Sequence, residues 1–478
     1  MLQADRDGPF VGRVSELALL DRVLGDLVAA IPQVLLISGE AGIGKTRLAD
    51  EFAHIARQRG VTLWRGACHE DLAIPYLPMA SALQELLRAE LDDDDRRVLG
   101  HLLDPAGHAE LGAAPAQADH ARLGLFLAME RGLRLAASRG PVVLMIDDLQ
   151  WIDDASLDLL AHLETTVAHD SSFAALPVLL LATHRPDPST AHVARVIERM
   201  ERDNCTVGIR LGGLGELEVN ELVTALGPSR PSRRLLQAIV EATEGNPLLV
   251  RGVVSALLRE GASVTDGELR TDGRELAVRG TSLLDSEIRR RLDRVGPDVI
   301  DVLTTAAFLG DVGSLVELAE VLERDVATLM PLLDAAADAQ LIVEHDDGYR
   351  FEHPQVRQVL YHEPRPRDRA RLHLRIADAL ERHHQADLER HALPLAHHLV
   401  RAADVEPERL LHWTRVAGDQ AWSVAAWAAA GRCYDAAIAA LGDPGPDRWE
   451  EVADLNLLTG WADYHNFDLP AATEHLSR

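Results

Sequence analysis

Apolar positions along this 478-residue chain change period from one end to the other. Toward the N-terminus they gather in short continuous runs: Val34-Leu35-Leu36-Ile37-Ser38, Val61-Thr62-Leu63-Trp64-Arg65-Gly66, Val142-Val143-Leu144-Met145-Ile146 and Pro177-Val178-Leu179-Leu180-Leu181-Ala182-Thr183. Runs of this length between turn-forming residues read as strands buried on both faces. Thr46 to Ala53, directly after the first run and a glycine-rich loop, carries helical spacing instead. The alternation predicts a parallel-sheet α/β core over residues 1–213.

Beyond Leu214 the period becomes helical. Glu218 to Val223, Leu235 to Val240 and Val250 to Leu258 predict a small helical lid over 214–285. Its end, 259–279, is rich in Gly, Asp and Thr and reads as a loop with a short hairpin. Ile288 to Tyr361 reads as helices followed by two short strands, Leu341-Ile342-Val343-Glu344 and Tyr349-Arg350-Phe351-Glu352. The Asp347-Gly348 step between them is a hairpin signal, and helices ending in a hairpin predict a winged-helix domain over 286–365. From Arg367 the chain is alanine-rich and helical. Segments 396–402, 410–419, 424–441 and 449–465 read as antiparallel helices, with small residues such as Ala429-Ala430-Gly431 where they cross. That is similar to tetratricopeptide-like repeats over 366–478, with a degenerate signature. A solenoid needs a polar cap, and Leu476-Ser477-Arg478 falls within a repeat. The expectation is a truncated product or the front of a longer protein.

Composition narrows the class. Hydrophobic residues make up 47% and aromatics 4%, so the apolar mass is largely Leu, Ala and Val, which favours helices. A net charge of −28 argues against nonspecific binding to nucleic acid or an anionic membrane. Cys68, Cys205 and Cys433 have no paired or metal-type spacing, as expected in a reducing compartment. The N-terminus lacks the basic and apolar regions of a signal peptide, and no apolar stretch is long enough to span a bilayer. The expectation is a soluble cytoplasmic protein.

Candidate chemistry begins at Lys45, the only lysine in a chain with 48 Lys plus Arg. It lies in Gly39-Glu40-Ala41-Gly42-Ile43-Gly44-Lys45-Thr46, a full GxxxxGK[ST] match. Where arginine replaces lysine everywhere else, the retained lysine marks a position a planar guanidinium cannot fill. Backbone N–H groups from Gly39 through Arg47 and the helix N-terminus would cradle the α- and β-phosphates of ATP or ADP. Lys45 would neutralise the β/γ oxygens, and the Thr46 hydroxyl would ligate Mg²⁺. Val142 to Asp148 ends a buried strand in two carboxylates, the Walker B pattern. Asp147 would hold Mg²⁺, and Asp148 would polarise the attacking water. The strand candidates at 61–66 and 177–183 point to the additional-strand class of P-loop NTPase rather than a kinase-like one. Arg185, just past the later strand, is placed to reach the γ-phosphate as a sensor or to serve as an exposed loop arginine.

Several segments together resemble one family: Phe10-Val11-Gly12-Arg13, Gly66-Ala67-Cys68, Pro75-Tyr76-Leu77-Pro78, Ile146-Asp147-Asp148-Leu149-Gln150-Trp151-Ile152-Asp153, Thr183-His184-Arg185-Pro186 and Glu244-Gly245-Asn246-Pro247-Leu248-Leu249. In order and spacing they are similar to the STAND-class ATPase module of large LuxR-type transcriptional regulators and of cyclase-linked proteins. The resemblance implies that Val11, Gly12 and Arg13 lie near the adenine, and that Gly245-Asn246-Pro247 packs against base and ribose. It implies that His353 contacts the ADP β-phosphate and holds the domain closed. Pro354 departs from many relatives at that point. The implied role is a slow ATP-to-ADP switch whose repeats receive an inducer ligand or protein, with ATP-dependent self-association.

In LuxR-type relatives a helix-turn-helix follows the repeats. None is visible in these residues, so DNA would be bound only through a domain not present in them. Only eight residues precede Pro9, so the expectation is that no cyclase leads the ATPase as it does in cyclase-linked relatives. The alternative is a nucleotide-binding scaffold whose repeats bind a protein partner without significant hydrolysis. A metabolic kinase has no place for the lid, winged helix and repeats. Asp92-Asp93-Asp94-Asp95 reads as a solvated loop or cap. His383, His384, His391, His397 and His398 read as solvated helical faces, and Cys68 as a packed thiol.

Overall fold

A computed structural model describes residues 10–68, 74–79, 93, 115–187, 190–259, 263–265, 268–270, 288–310, 312–345, 348–352, 354–385, 387–442 and 445–477. His353 and, apart from Asp93, the acidic run at 92–95 lie outside the described residues.

Five parallel strands form the first sheet: β1 (Gln33–Gly39), β2 (Thr62–Ala67), β3 (Val142–Asp147), β4 (Val178–His184) and β5 (Thr206–Leu211). Their spatial order is β2-β3-β4-β1-β5. The strand separating the P-loop strand β1 from the Walker B strand β3 is therefore β4. The run at 61–66, which lies between them in sequence, sits at the sheet edge. The chain is an additional-strand P-loop NTPase followed by a helix-rich region.

Alternation along the strands sorts the core into two layers. Leu35, Ile37, Val143, Met145, Leu179 and Leu181 face helices α1 (Val14–Val28) and α2 (Lys45–Gln58). Val34, Leu36, Val142, Leu144, Ile146 and Leu180 face the opposite layer, made by helices Pro115–Ala137, Asp154–His169 and Ala191–Arg202. Every residue of β3 and β4 is buried, which is why both read as unbroken apolar runs.

Helices Glu216–Leu226, Arg233–Thr243 and Pro247–Arg259 enclose a separate small core around Val219, Leu222, Ile239, Val250 and Val254. Ser263–Thr265 and Glu268–Arg270 form the short hairpin expected there, extended by Arg230–Pro231. Next, helices Pro297–Leu309, Leu315–Leu322 and Val326–Asp338 pack with a three-stranded antiparallel sheet of Val312–Ser314, Ile342–His345 and Gly348–Phe351.

The remaining helices, Pro366–His383, Ala392–Arg401, Pro407–Ser423, Trp427–Leu441, Trp449–His465 and Leu469–Ser477, stack in order. Small residues permit the close crossings. A Cβ at Gly418 would come within 2.5 Å of the Tyr434 ring, and one at Gly460 within 2.6 Å of Leu476. The stack also folds back on the core: Leu411, Ala421, Ala429, Ala430 and Tyr434 belong to the same apolar cluster as the β3 side chains, and Arg432 pairs with Asp154 at 3.5 Å. Among the described residues, no helix is long and apolar enough to cross a membrane.

The histidine-rich stretch is not one solvated face. His398 is buried, with its Nδ1 2.9 Å from Nδ1 of buried His373, because both sit where the helix 366–383 packs on the helix 392–401.

Candidate functional site

The P-loop follows from local geometry. β1 ends at Gly39, and Gly42 (φ 76°) and Gly44 (φ 101°) adopt left-handed backbone that side chains resist. A Cβ at Gly44 would meet nothing within 4 Å among the described residues, so its conformation is what demands glycine there. At Gly42 a Cβ would come within 2.7 Å of the Leu248 side chain. α2 starts at Lys45, so its first turn aims free N–H groups into the loop.

Lys45 is buried, and its ammonium donates to the carbonyls of Gly39 (2.9 Å) and Glu40 (3.1 Å). Burial pushes its pKa below the usual lysine range, while Asp148 and Asp147 pull it back up. The Thr46 hydroxyl donates to Asp147 Oδ1 at 3.2 Å. Thr183 Oγ1 donates to the same oxygen, and Arg65 reaches Asp147 Oδ2 at 3.3 Å while also pairing with Asp50. Thr46 and Asp147 thus place two hard oxygen donors side by side, a set that suits Mg²⁺.

Asp148 has left-handed backbone (φ 57°), fixed by donation from its N–H to Thr183 Oγ1 at 2.9 Å. Its carboxylate accepts from Gln150 Nε2 at 2.9 Å. Burial and the adjacent Asp147 raise its pKa above the ordinary carboxylate range, with Gln150, Lys45 and Arg185 opposing. Gln150, only 1% exposed, also accepts from the Arg185 N–H at 3.1 Å. The Arg185 guanidinium lies over the Trp151 ring, 5.7 Å from its centroid, and its Nε is buried without a hydrogen-bond partner among the described residues. Lys45, Thr46, Asp147, Asp148 and Arg185 therefore come together.

The segment ahead of α1 joins them through contacts. Arg13 Nη2 donates to the carbonyls of Ile43 (3.0 Å), in the P-loop, and Gly212 (2.7 Å), where the core leads into the helices beyond. The Arg13 N–H donates to Glu218 Oε1 at 2.9 Å, while Glu218 Oε2 accepts from the Gly215 N–H at 2.8 Å. A Cβ on Gly12 (φ 69°) would come within 2.1 Å of Glu218 Oε1. Val11 packs against the small helical core around Val219 and Val250. Pro247 opens helix 247–259, and the residue before it, Asn246, donates from Nδ2 to the Ala41 carbonyl at 2.9 Å. Arg47 lies half-buried in the first turn of α2.

The sequence reading assigned no role to Gln150, Thr183, Arg65 or Glu218 as individuals, and expected Asn246, with Gly245 and Pro247, against the base and ribose rather than bonded to the P-loop. Glu218 had a usable signal, because Gly215-x-x-Glu218 has capping-box spacing. Arg65 had none, since only strand pairing puts β2 beside β3.

Strand order, P-loop and paired strand-end carboxylates define the class: an additional-strand P-loop NTPase. Residues 9–181 match the AAA ATPase domain family. An uncharacterised protein of Rhizobium meliloti (strain 1021) is 26% identical over 431 residues, covering 84% of this chain and 40% of that protein. The chain thus spans less than half of that relative. The crystal structure of a Signal Transduction ATPase with Numerous Domains (STAND) protein with a tetratricopeptide repeat sensor, from Pyrococcus horikoshii, is similar with a TM-score of 0.52 at 15% identity. The match covers 98% of this chain and 64% of that one, so the chain spans less than two thirds of its length. At such identity the likeness is one of fold.

Proposed function

We propose that this chain is an ATP-binding and ATP-hydrolysing signal-transduction switch of the STAND kind, the regulatory part of a LuxR-type transcriptional regulator. The observation that carries the reading is the bond from Asn246 to the Ala41 carbonyl. It ties the lid directly to the loop that would hold the phosphates, so a change at the phosphates changes what the lid rests on.

In this reading the N–H groups of the 39–47 loop bind the phosphates, and the Lys45 ammonium exchanges its carbonyl partners for β/γ oxygens. Thr46 and Asp147 would hold Mg²⁺, which supplies charge neutralisation at the β- and γ-oxygens. Asp148, a stronger base because its pKa is raised, orients the attacking water and draws on its proton. Arg185 faces the developing charge on the γ-phosphoryl oxygens. Val11, Gly12, Arg13 and Pro247 border the nucleoside, and His353, in a winged-helix domain, reads the β-phosphate of ADP. The helical repeats take the inducer or partner protein, and opening of the lid precedes self-association.

ATP turnover by the wild type against Asp148→Ala and Lys45→Ala tests the reading. Turnover in the wild type that both substitutions abolish is expected. A wild type that binds ATP but shows no turnover above the two variants would sink the switch.

A further inference from the structure

The joint between the first two repeat helices brings together three groups of metal-ligand chemistry. Helix 366–383 ends at His384, its C-cap, and the chain passes through Asp387 to a 3-10 turn closing at His391. One ligand atom from each of His384, Asp387 and His391 lies within 4.8 Å of the others, the only such group among the described residues. His384 Nδ1 is 3.8 Å from Asp387 Oδ1. Two ligands on a tetrahedral zinc, each at about 2.0–2.1 Å, stand about 3.4 Å apart, so the closure required is a few tenths of an ångström.

His384 Nε2 is buried without a hydrogen-bond partner among the described residues, so no bond from that nitrogen holds the ring against turning Nδ1 to an ion. The His384 ring instead stacks on the His391 ring, with centroids 3.4 Å apart and planes 14° apart. Imidazole lone pairs lie in the ring plane, so the two rings must fan apart for both to point at one ion. Asp387 is exposed and His391 half-buried, which leaves room for that rotation. His391 Nδ1 lies 3.4 Å from the Asp387 carbonyl, so its N–H there would leave Nε2 as the donor.

The sequence shows the same group as His-x-x-Asp-x-x-x-His, with the carboxylate that a reading of the histidines alone left out. We propose that His384, Asp387 and His391 form a site for a divalent transition metal, Zn²⁺ by donor type, with water completing the coordination. The ion would clasp the turn between the first two repeat helices. The joint is also tied on both sides. His383 Nδ1 lies 2.5 Å from Glu320 in the preceding domain, and Gln420 of the third repeat helix donates to the Glu389 carbonyl within the turn. A metal here would set the angle at which the repeats leave the rest of the chain.

The test uses the untagged full chain, stripped by a chelator and titrated with Zn²⁺ against a chromophoric competitor, with no nucleotide present. About one equivalent is expected to bind tightly and to raise the unfolding temperature, since it binds the folded chain alone. His391→Gln and Asp387→Asn should each weaken that equivalent by roughly 100-fold, because losing a ligand exceeds the 10–100-fold cost of an outer-shell change. His412→Ala, an exposed histidine elsewhere, should leave it intact. Circular dichroism of the stripped variants checks that they fold. Co²⁺ substitution should give a four-coordinate spectrum that His391→Gln removes. Binding of equal strength in wild type and in folded His391→Gln and Asp387→Asn overturns the site, as does a wild type that takes up no zinc in competition.

Discussion

Asn246 donates from Nδ2 to the Ala41 carbonyl at 2.9 Å, across 205 residues of sequence, while its Oδ1 accepts from the N–H groups of Leu248 (3.1 Å) and Leu249 (3.5 Å). One side chain therefore caps the helix 247–259 and fastens it to the P-loop. Asn246→Ala should lose both, at about 1 kcal/mol each. The expected outcome is a folded protein that releases ADP roughly tenfold faster, read with a fluorescent ADP analogue. Asn246→Asp keeps the cap acceptor but turns a carboxylate toward the Ala41 carbonyl, so it should release faster too despite an intact helix. Release at the wild-type rate from both variants would show that the fastening does not control the nucleotide.

Lys45→Arg should damage nucleotide binding although charge is conserved. The ammonium is buried and fits between two carbonyls about 3 Å away, and a planar fork cannot take that place without moving the loop. A loss of roughly 10–100-fold in ATP affinity is expected, the worth of a hydrogen bond to a charged group. Equilibrium binding of a fluorescent ATP analogue reads it directly. Normal affinity in the arginine variant would mean that the single lysine is an accident of composition.

Gln150 holds the Asp148 carboxylate with its amide N–H and the Arg185 backbone with its amide oxygen. It is a positioning residue, so Gln150→Leu should lower kcat roughly tenfold and leave KM nearly unchanged. The pH profile separates this from simple loosening. Asp148 must be ionised to act as base, and its raised pKa places the acid limb above the ordinary carboxylate range. The Gln150 hydrogen bond favours the ionised form, so removing it raises the pKa further. The limb in Gln150→Leu must therefore move to higher pH. A limb that stays or moves down contradicts the assignment.

These residues show what was legible in sequence and why. The P-loop and Walker B pair were readable because strand, glycine loop and carboxylates are contiguous, and each run is buried on both faces. Which strand intervenes between them was not, since order in a sheet is set by crossovers and not by sequence neighbours; β4 takes the place that the 61–66 run seemed to offer. The Asn246–Ala41 and Arg13–Gly212 bonds join residues about 200 apart in sequence, and no local pattern encodes such a pairing. The histidines misled for a related reason. Spacing along one helix described them as a solvated face, but the neighbouring helix covers His398 and the turn delivers Asp387 to His384.

Covered histidines should make the joint between the repeats and the helices before them acid-labile. Burial lowers the His373 pKa to about 4 and that of His397 to about 3, and it pushes His398 well below its ordinary value. His373 packs against Tyr361, Phe308, His397 and His398, with Arg401 and Arg369 nearby and no carboxylate among the groups that shift it. The unfolded chain therefore takes up protons on these rings near pH 6.5 while the folded chain does not. Stability is full above that pH and falls as the pH drops through it. For His373 alone, folded at about 4 and unfolded at 6.5, the loss between pH 7 and pH 5 is about 2 kcal/mol. Urea midpoints followed at pH 7, 6 and 5 should fall steeply in the wild type. In His373→Gln, which cannot be protonated, the midpoint should start lower at pH 7 and fall less. Equal slopes in both proteins would place the acid sensitivity elsewhere in the chain.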